Sequence, residues 1–156
     1  MQGASLTPEG IERWIRKYFA ACNSGIAANV ERYFEPDGVH YFPPDMYGGP
    51  FRGARTIGDR WSGAVAALGS YWTVDSIIVD APSRRAVIEW SHFKRREGVL
   101  LRGDEWYEFS ERGLIREIRA YYASPQDKTL AALELGGFDY QGRGYPIEAP
   151  AEEIGQ

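Results

Sequence analysis

The sequence predicts a single α+β domain, a cone in which a strongly curved antiparallel sheet wraps around three N-terminal helices. Three observations lead to this fold class. The chain has 156 residues, which is a usual length for one domain. Apolar residues recur at helical spacing in the first half, whereas strand-like alternation dominates the second half. Helices followed by a run of hairpin-linked strands are typical of the α+β class.

The first helix is predicted to begin after Thr7 and to end near Asn23. Thr7 is a favourable N-cap, because its hydroxyl can accept a hydrogen bond from a free backbone N–H of the first turn. Pro8 suits the first helical position, and the charge of Glu9 interacts favourably with the helix dipole. These signals fix the start of the helix better than its end.

Two further helices are predicted, over residues 26–34 and 54–68. The segment between them is predicted to be less regular. It contains a turn at residues 35–38, a short strand at 39–42 and a long ordered loop over 43–53, where prolines and glycines accumulate.

The second half predicts an antiparallel meander, because its segments are rich in β-branched and aromatic residues and are joined by short links. The predicted strands are residues 71–80, 85–94, 99–109 and 114–122. Ser124-Pro125 predicts a closing helix that Gly136-Gly137 ends. We expect one domain over residues 1–156, with a core at about 8–135 and an extended tail over 138–156.

Composition narrows the function classes. The net charge is −4 and the basic residues are scattered, which disfavours a nucleic-acid surface. The sequence contains no run of eighteen apolar residues and no signal peptide, so no membrane partner is expected. A single cysteine, Cys22, favours a reducing, cytoplasmic setting. Aromatic residues make up 14% of the chain, a share that suits a pocket for a flat small molecule.

Strand alternation predicts which face of the sheet lines this pocket. One face carries mainly apolar and aromatic residues, including Trp90 and Tyr122, and is interrupted by His92 and Glu105. We expect the helices to pack on this face. The opposite face carries charged residues that can pair across strands: Glu89, Arg102, Asp104, Glu108, Glu117 and Arg119.

Glu105 is the candidate acid–base group on the apolar face. A carboxyl group in such a place must be paired or protonated, which suits proton transfer. His92 is the expected partner, since imidazole is the usual proton shuttle. A bulge in a strand would reverse the faces and would turn Arg102 and Asp104 inward instead.

The helices, the segment GVHYFPP, the glycine-bounded link over residues 49–53, the meander and the closing GLIREIRAYY resemble the NTF2-like superfamily. More narrowly, they resemble its polyketide-cyclase-like, limonene-epoxide-hydrolase-like and dehydratase-like members. The resemblance implies a pocket near His40 and Phe42. Trp90, His92 and Ala120 stand where the epoxide hydrolases carry an Arg and two Asp, and the polyketide cyclases also use an acid at the Ala120 position. Neither mechanism therefore transfers.

The resemblance to dehydratase and lyase members implies that a histidine abstracts a proton while a tyrosine polarises an oxygen. We therefore predict a lyase of dehydratase or retro-aldol type, without cofactor or metal, acting on an aromatic or polycyclic compound such as a lignin-derived diaryl. His92 is the predicted base and Glu105 its partner. His40 is expected to stabilise negative charge on oxygen together with Tyr18 or Tyr122. Aromatic residues expected to contact the substrate are Trp90, Phe42, Tyr47 and Trp72.

Two other functions stay open at the sequence level. An isomerase or cyclase would use the same pocket and return the proton elsewhere. A ligand-binding module without catalysis is also compatible with this fold. The charged outer face of the sheet, together with Trp106, predicts a homo-oligomer, either a dimer or a trimer.

Overall fold

The computed structural model describes residues 2–43, 46–123 and 139–151. The helices in these residues are α1 (Pro8–Asn23), α2 (Ala27–Glu31) and α3 (Ala54–Leu68). The strands are β1 (Phe34–Tyr41), β2 (Phe51–Arg52), β3 (Ser70–Asp80), β4 (Arg85–Lys94), β5 (Val99–Phe109) and β6 (Ile115–Tyr122). The helix predicted between Ser124 and Gly137 lies outside the described residues.

The six described strands form one curved sheet in the order β2-β1-β6-β5-β4-β3. The predicted α+β fold class is confirmed, and so is the four-strand antiparallel meander of β3 to β6. One pairing differs from the prediction, because β1 runs parallel to β6. The whole meander separates these two strands in the chain, so no hairpin forces them to be antiparallel.

The segment between α2 and α3 was predicted less well. Residues 35–38 were predicted to form a turn. They lie inside β1 instead, where the register with β6 shifts between Phe34 and Val39. Within the predicted loop, the short strand β2 pairs with β1 through His40 and Phe51. A bulge accommodates the turn-forming residues without ending the strand.

The helices lie close to their predicted bounds. The Thr7 hydroxyl accepts a hydrogen bond from the Gly10 backbone N–H at 3.1 Å, as expected for an N-cap. α3 has its predicted bounds and ends at Gly69, whose φ of +64° is the left-handed conformation of a helix terminus. α2 is shorter than predicted, since β1 already begins at Phe34.

The two faces of the sheet are sorted as alternation predicts. Ile88 and Ala120, which flank Glu105 on the neighbouring strands, are 1% and 5% exposed and face the helices. Trp106 and Tyr121 face outward and are 40% and 53% exposed. Glu105 therefore belongs to the inner face, and the alternative with Arg102 and Asp104 facing inward is wrong.

The outer face carries the predicted charge pairs, centred on Glu108. Its carboxylate lies 3.2 Å from Arg85, 3.4 Å from Arg116 and 3.6 Å from Arg119. These pairs lie near the surface, where each contributes little to stability. Whether this face forms a dimer or trimer stays a prediction.

Arg102 differs from its outer-face neighbours, because the described part of the tail covers it. Its guanidinium lies 4.3 Å from the Tyr140 ring, and it donates hydrogen bonds to Ser91 Oγ and to the Pro146 carbonyl. Arg102 is therefore buried rather than solvated. Residues 140–144 form a turn, so the predicted extended conformation does not hold there.

Across the described segments, we find no helix with both the length and the apolar character needed to cross a membrane.

Gly103 on β5 provides a test of the packing. A Cβ at this position would collide with the Tyr121 carbonyl and lie 2.6 Å from Trp90 Cζ2. We expect Gly103→Ala to destabilise the protein by about 1–3 kcal/mol, because backbone cannot yield as a side chain can. Urea unfolding measures this difference.

Gly63 in α3 is the matched control, since a Cβ there meets nothing within 4 Å. Gly63→Ala should instead stabilise the protein by about 0.5–1 kcal/mol, as expected for a helix interior. Equal effects at the two positions would contradict this account of Gly103.

Candidate active site

A cavity lies between the helices and the inner face of the sheet. Its volume is about 20 Å³, which is enough for one buried water molecule. Helices and strands each contribute side chains, so only the assembled fold creates the cavity. The lining residues are Tyr18, Phe19, Cys22, His40, Trp61, Trp72, Trp90, Glu105 and Tyr122.

His40 on β1 is held between aromatic rings. Its imidazole stacks on Phe42 with a centroid distance of 4.3 Å and an angle of 9°, and it meets the edge of Trp61 at 5.4 Å. Nδ1 lies 3.4 Å from the Tyr41 carbonyl oxygen. A carbonyl only accepts, so this contact assigns a proton to Nδ1 and leaves Nε2 for chemistry. The imidazole is 1% exposed.

Glu105 on β5 faces His40 across the cavity. The Tyr107 hydroxyl donates a hydrogen bond of 2.5 Å to Glu105 Oε2, while Oε1 lies 3.5 Å from His40 Nε2. This second contact is not a hydrogen bond, and Nε2 has no hydrogen-bond partner among the described residues. Tyr107 therefore fixes the carboxyl group and leaves its other oxygen directed at the imidazole.

This arrangement brings an imidazole nitrogen and a carboxyl oxygen together at the cavity, 3.5 Å apart. An imidazole and a carboxyl group can each take a proton from a bound molecule or give one to it. The geometry of His40 and Glu105 therefore suits acid–base chemistry.

The tyrosines at the cavity are donors rather than bases. Burial is the main cause that raises the pKa of Tyr18, Tyr107 and Tyr122 above the ordinary phenol value. The Tyr18 hydroxyl accepts a hydrogen bond of 3.1 Å from Trp61 Nε1. The Tyr122 hydroxyl lies 3.3 Å from that of Tyr47. These groups stay neutral at physiological pH and cannot abstract a proton.

Tyr47 extends the aromatic cluster beyond the cavity itself. It lies in the segment after β1, with a φ of +54° that is unusual for a residue other than glycine. Its ring packs on Phe42 at 4.8 Å and on Phe51 at 5.6 Å. Its backbone carbonyl accepts a hydrogen bond of 2.6 Å from Arg60. Tyr47 and Phe42 therefore pack behind the residues that line the cavity.

His92 does not join this group, and its predicted partnership with Glu105 is wrong. In the register of β4 and β5, Glu105 lies opposite Ile88, whereas His92 lies opposite Leu101, four residues along the strand. His92 Nε2 instead lies 2.7 Å from Ser70 Oγ, and its ring stacks on Trp72 at 4.6 Å. Desolvation, followed by the charge of Lys94, lowers the pKa of His92 to about 3.

The structure thus brings together most of the residues predicted from the sequence. Those at the cavity are His40, Glu105, Tyr18, Tyr122, Trp90 and Trp72. Phe42 and Tyr47 lie just outside it, and His92 lies apart; its catalytic role stays a prediction. Sequence reasoning did not name Trp61 and Tyr107 as site residues. Alternation places Tyr107 two residues from Glu105 on the same face, and this signal could have paired them.

In the parts of the chain that the structure describes, no three His, Cys, Asp or Glu side chains come together as a ligand set. The cavity residues with side chains of these types are His40, Glu105 and Cys22.

Comparison with known families identifies the family of this chain. The SnoaL-like domain matches residues 15–118, which is more than half of the chain and includes both His40 and Glu105. The chain belongs to the SnoaL-like domain family. This family has the NTF2-like fold that the sequence resembled.

One solved structure is similar to the chain in both sequence and fold. A protein of unknown function with a cystatin-like fold from Methylobium petroleophilum PM1 is 51% identical to this SnoaL-like chain. The match covers 94% of this chain and 97% of that one, with a TM-score of 0.75. The relative is therefore similar over its whole length.

More distant structures share the fold alone. An NTF2-like protein of unknown function from Cytophaga hutchinsonii ATCC 33406 is 10% identical, with a TM-score of 0.58 over 72% of this chain and 88% of that one. SalBIII, an epoxide hydrolase/cyclase-like enzyme with a role in pyran ring formation in the polyether salinomycin, is 8% identical. Its TM-score is 0.59, over 77% of this chain and 94% of that one. A search of curated proteins finds no significant match to the SnoaL-like chain.

The low pKa of His92 predicts a pH-dependent stability. Between about pH 6.5 and 3, the unfolded chain binds a proton at this position that the folded protein does not. The contribution of neutral His92 is therefore complete above pH 6.5 and is lost on acidification, by about 1.4 kcal/mol per pH unit.

His92→Gln removes the titrating group while keeping an amide that can bond to Ser70. We expect the stability difference between wild type and variant to change by about 1.4 kcal/mol between pH 6 and pH 5, in the direction of a relatively weaker wild type. Urea unfolding at both pH values measures it. A pH-independent difference would show that His92 titrates in the folded protein as it does in the unfolded chain, and would contradict its lowered pKa.

Proposed function

We propose that this chain is a cofactor-independent enzyme that moves a proton on a small aromatic carbonyl compound, with His40 and Glu105 as the catalytic pair. One observation supports this above the others. His40 Nε2 is buried at the cavity without a hydrogen-bond partner among the described residues, 3.5 Å from a carboxyl oxygen that Tyr107 holds in place. Two ionisable groups arranged in this way are typical of acid–base sites.

The proposed reaction begins when His40 Nε2 removes a proton from the carbon next to the carbonyl group, which leaves an enolate. In a dehydratase, the bond from the β-carbon to its hydroxyl oxygen then breaks, and the departing hydroxide takes a proton from the His40–Glu105 pair to form water. In a retro-aldol cleavage, the pair instead removes the β-hydroxyl proton, the carbon–carbon bond breaks and the enolate is reprotonated. Proton and electron pair are conserved in both cases.

The size of the cavity limits how a substrate can bind. Pockets for drug-sized ligands have volumes of about 300–1,000 Å³, whereas this cavity has about 20 Å³. Aromatic side chains must therefore move before a substrate binds. The 3.3 Å contact between the hydroxyls of Tyr47 and Tyr122 is neither strong nor deeply buried, so it is the contact we expect to open first.

A cyclase or isomerase is the second candidate. SalBIII shares the fold and is described as an epoxide hydrolase/cyclase-like enzyme, which favours this class over others. Cyclisation of a carbonyl compound also begins with removal of a proton next to the carbonyl group. This first step is common to the cyclase and the dehydratase, and the product separates them. We further propose a cytoplasmic location and a lignin-derived diaryl substrate. The buried thiol of Cys22 is compatible with a cytoplasmic location.

Deuterium uptake tests the shared step. Acetophenone is incubated with the protein in D₂O, and loss of the methyl signal is followed by proton NMR. We expect exchange well above the buffer rate, and a reduction of about 10²–10⁴-fold for His40→Gln and for Glu105→Gln. His92→Gln, the same change at the other histidine, should keep most of the rate.

Two results would overturn the assignment. Loss of exchange in His92→Gln with retention in His40→Gln would move the base to His92. No exchange with acetophenone or other aryl ketones in the wild type would leave a binding module. With β-hydroxypropiophenone, a dehydratase releases phenyl vinyl ketone and a retro-aldol enzyme releases acetophenone and formaldehyde, so the product identifies the type of lyase.

A further inference from the structure

Trp90 on β4 has a buried N–H group that the described protein does not satisfy. Its side chain is 3% exposed, and Nε1 has no acceptor among the described residues. An indole N–H can only donate. Buried donors are nearly always paired, and an exception in a native structure calls for a ligand or a functional explanation.

The neighbouring strand restricts the indole ring on one side. It lies across Gly103 of the neighbouring strand, so closely that a Cβ there would be 2.6 Å from Cζ2 and 3.0 Å from Cε2. On its other side the ring meets Tyr122 edge-on, with a centroid distance of 5.0 Å. The close approach to the backbone at Gly103 restricts rotation of the ring even when Tyr122 moves to admit a substrate.

The other donors at the cavity already have partners. Trp61 Nε1 bonds to the Tyr18 hydroxyl, and the Tyr122 hydroxyl contacts that of Tyr47. Of the buried side-chain nitrogen and oxygen atoms in the described residues, only Trp90 Nε1 and His40 Nε2 lack a partner, and both belong to residues that line the cavity. The two unpartnered atoms, an N–H donor and a ring nitrogen, therefore belong to residues that line the same cavity.

We propose that Trp90 is a specificity-determining residue whose indole N–H binds the carbonyl oxygen of the substrate. This inference rests on the proposed function and gives its substrate class, an aromatic compound with a carbonyl oxygen next to the reacting C–H. When His40 removes that proton, negative charge develops on the oxygen and strengthens the hydrogen bond from Trp90. A fixed donor at such an oxygen accelerates the reaction.

Trp90 also borders a second pocket, on the outer face of the sheet, with a volume of about 170 Å³. Asp75, Glu89 and Asp104 line that pocket together with Arg102. Three carboxyl groups disfavour a ligand that presents only an acceptor oxygen. The inner cavity, with its apolar aromatic lining, is the better place for an aromatic ketone.

NMR tests the binding step without relying on turnover. The chain has five tryptophans, and Trp90→Phe assigns the indole N–H signal of Trp90. Acetophenone is the probe, and ethylbenzene is the control of similar shape without the oxygen. We expect acetophenone, up to about 10 mM, to shift the indole signal of Trp90 downfield and to move the imidazole signals of His40 with the same dissociation constant. Ethylbenzene should not shift the indole signal downfield.

Three outcomes would overturn the proposal. The Trp90 signal could move without that of His40, which would place the ligand in the outer pocket. Both probes could shift it equally, or acetophenone could shift neither signal. A shift of both signals without deuterium exchange would keep Trp90 as a binding residue while refuting the proposed function, so the two failures are distinguishable.

Kinetic measurements test whether the Trp90 N–H acts during the reaction. Trp90→Phe keeps an aromatic ring and removes the donor, and should lower kcat for deuterium exchange by about 10²-fold. Trp106→Phe, the same substitution at an exposed position on the outer face, should leave the rate unchanged. A Trp90→Phe variant that loses affinity but keeps kcat, or keeps both, would contradict a role for the N–H at the developing oxyanion.

Discussion

The contact between Glu105 and His40 constrains the rest of this structure. A carboxyl group at an aromatic cavity loses most of its hydration, which is costly unless other groups replace the water. Tyr107 replaces part of it through a 2.5 Å hydrogen bond, and the His40 imidazole faces the remaining oxygen at 3.5 Å. Tyr107 is itself completely buried, so this support depends on the packing of the whole inner face.

The position of His40 depends on residues that are distant in the chain. Phe42 stacks on the imidazole from the same strand, whereas Trp61 reaches it from α3. Trp61 also donates a hydrogen bond to Tyr18 of α1. One indole therefore links two helices to the imidazole on β1. Loss of any one of these aromatic rings would loosen the others, because interiors of this kind are closely packed.

Much of the fold followed from local signals in the sequence. The bounds of β4, β5 and α3 follow from alternation, turn residues and helical spacing, all of which act over a few residues. The face of Glu105 also followed, since alternation is a local property. The partner of Glu105 could not be predicted in this way. His92 and Glu105 share a face, but their separation along β4 and β5 depends on the register of these strands. The contact of Glu105 with His40 depends on the pairing of β1 with β6. The bulge in β1 and the burial of Arg102 under the tail are tertiary effects of the same kind.

The central claim is that His40 and Glu105 act as one proton-transferring unit. A double-mutant cycle on the rate of deuterium exchange, with His40→Gln, Glu105→Gln and the combined variant, tests this most directly. Residues that act as a unit show strongly non-additive losses. The account predicts that the double variant is no slower than the slower single variant. A double variant in which the two losses multiply would show that the groups act independently and would contradict the claim.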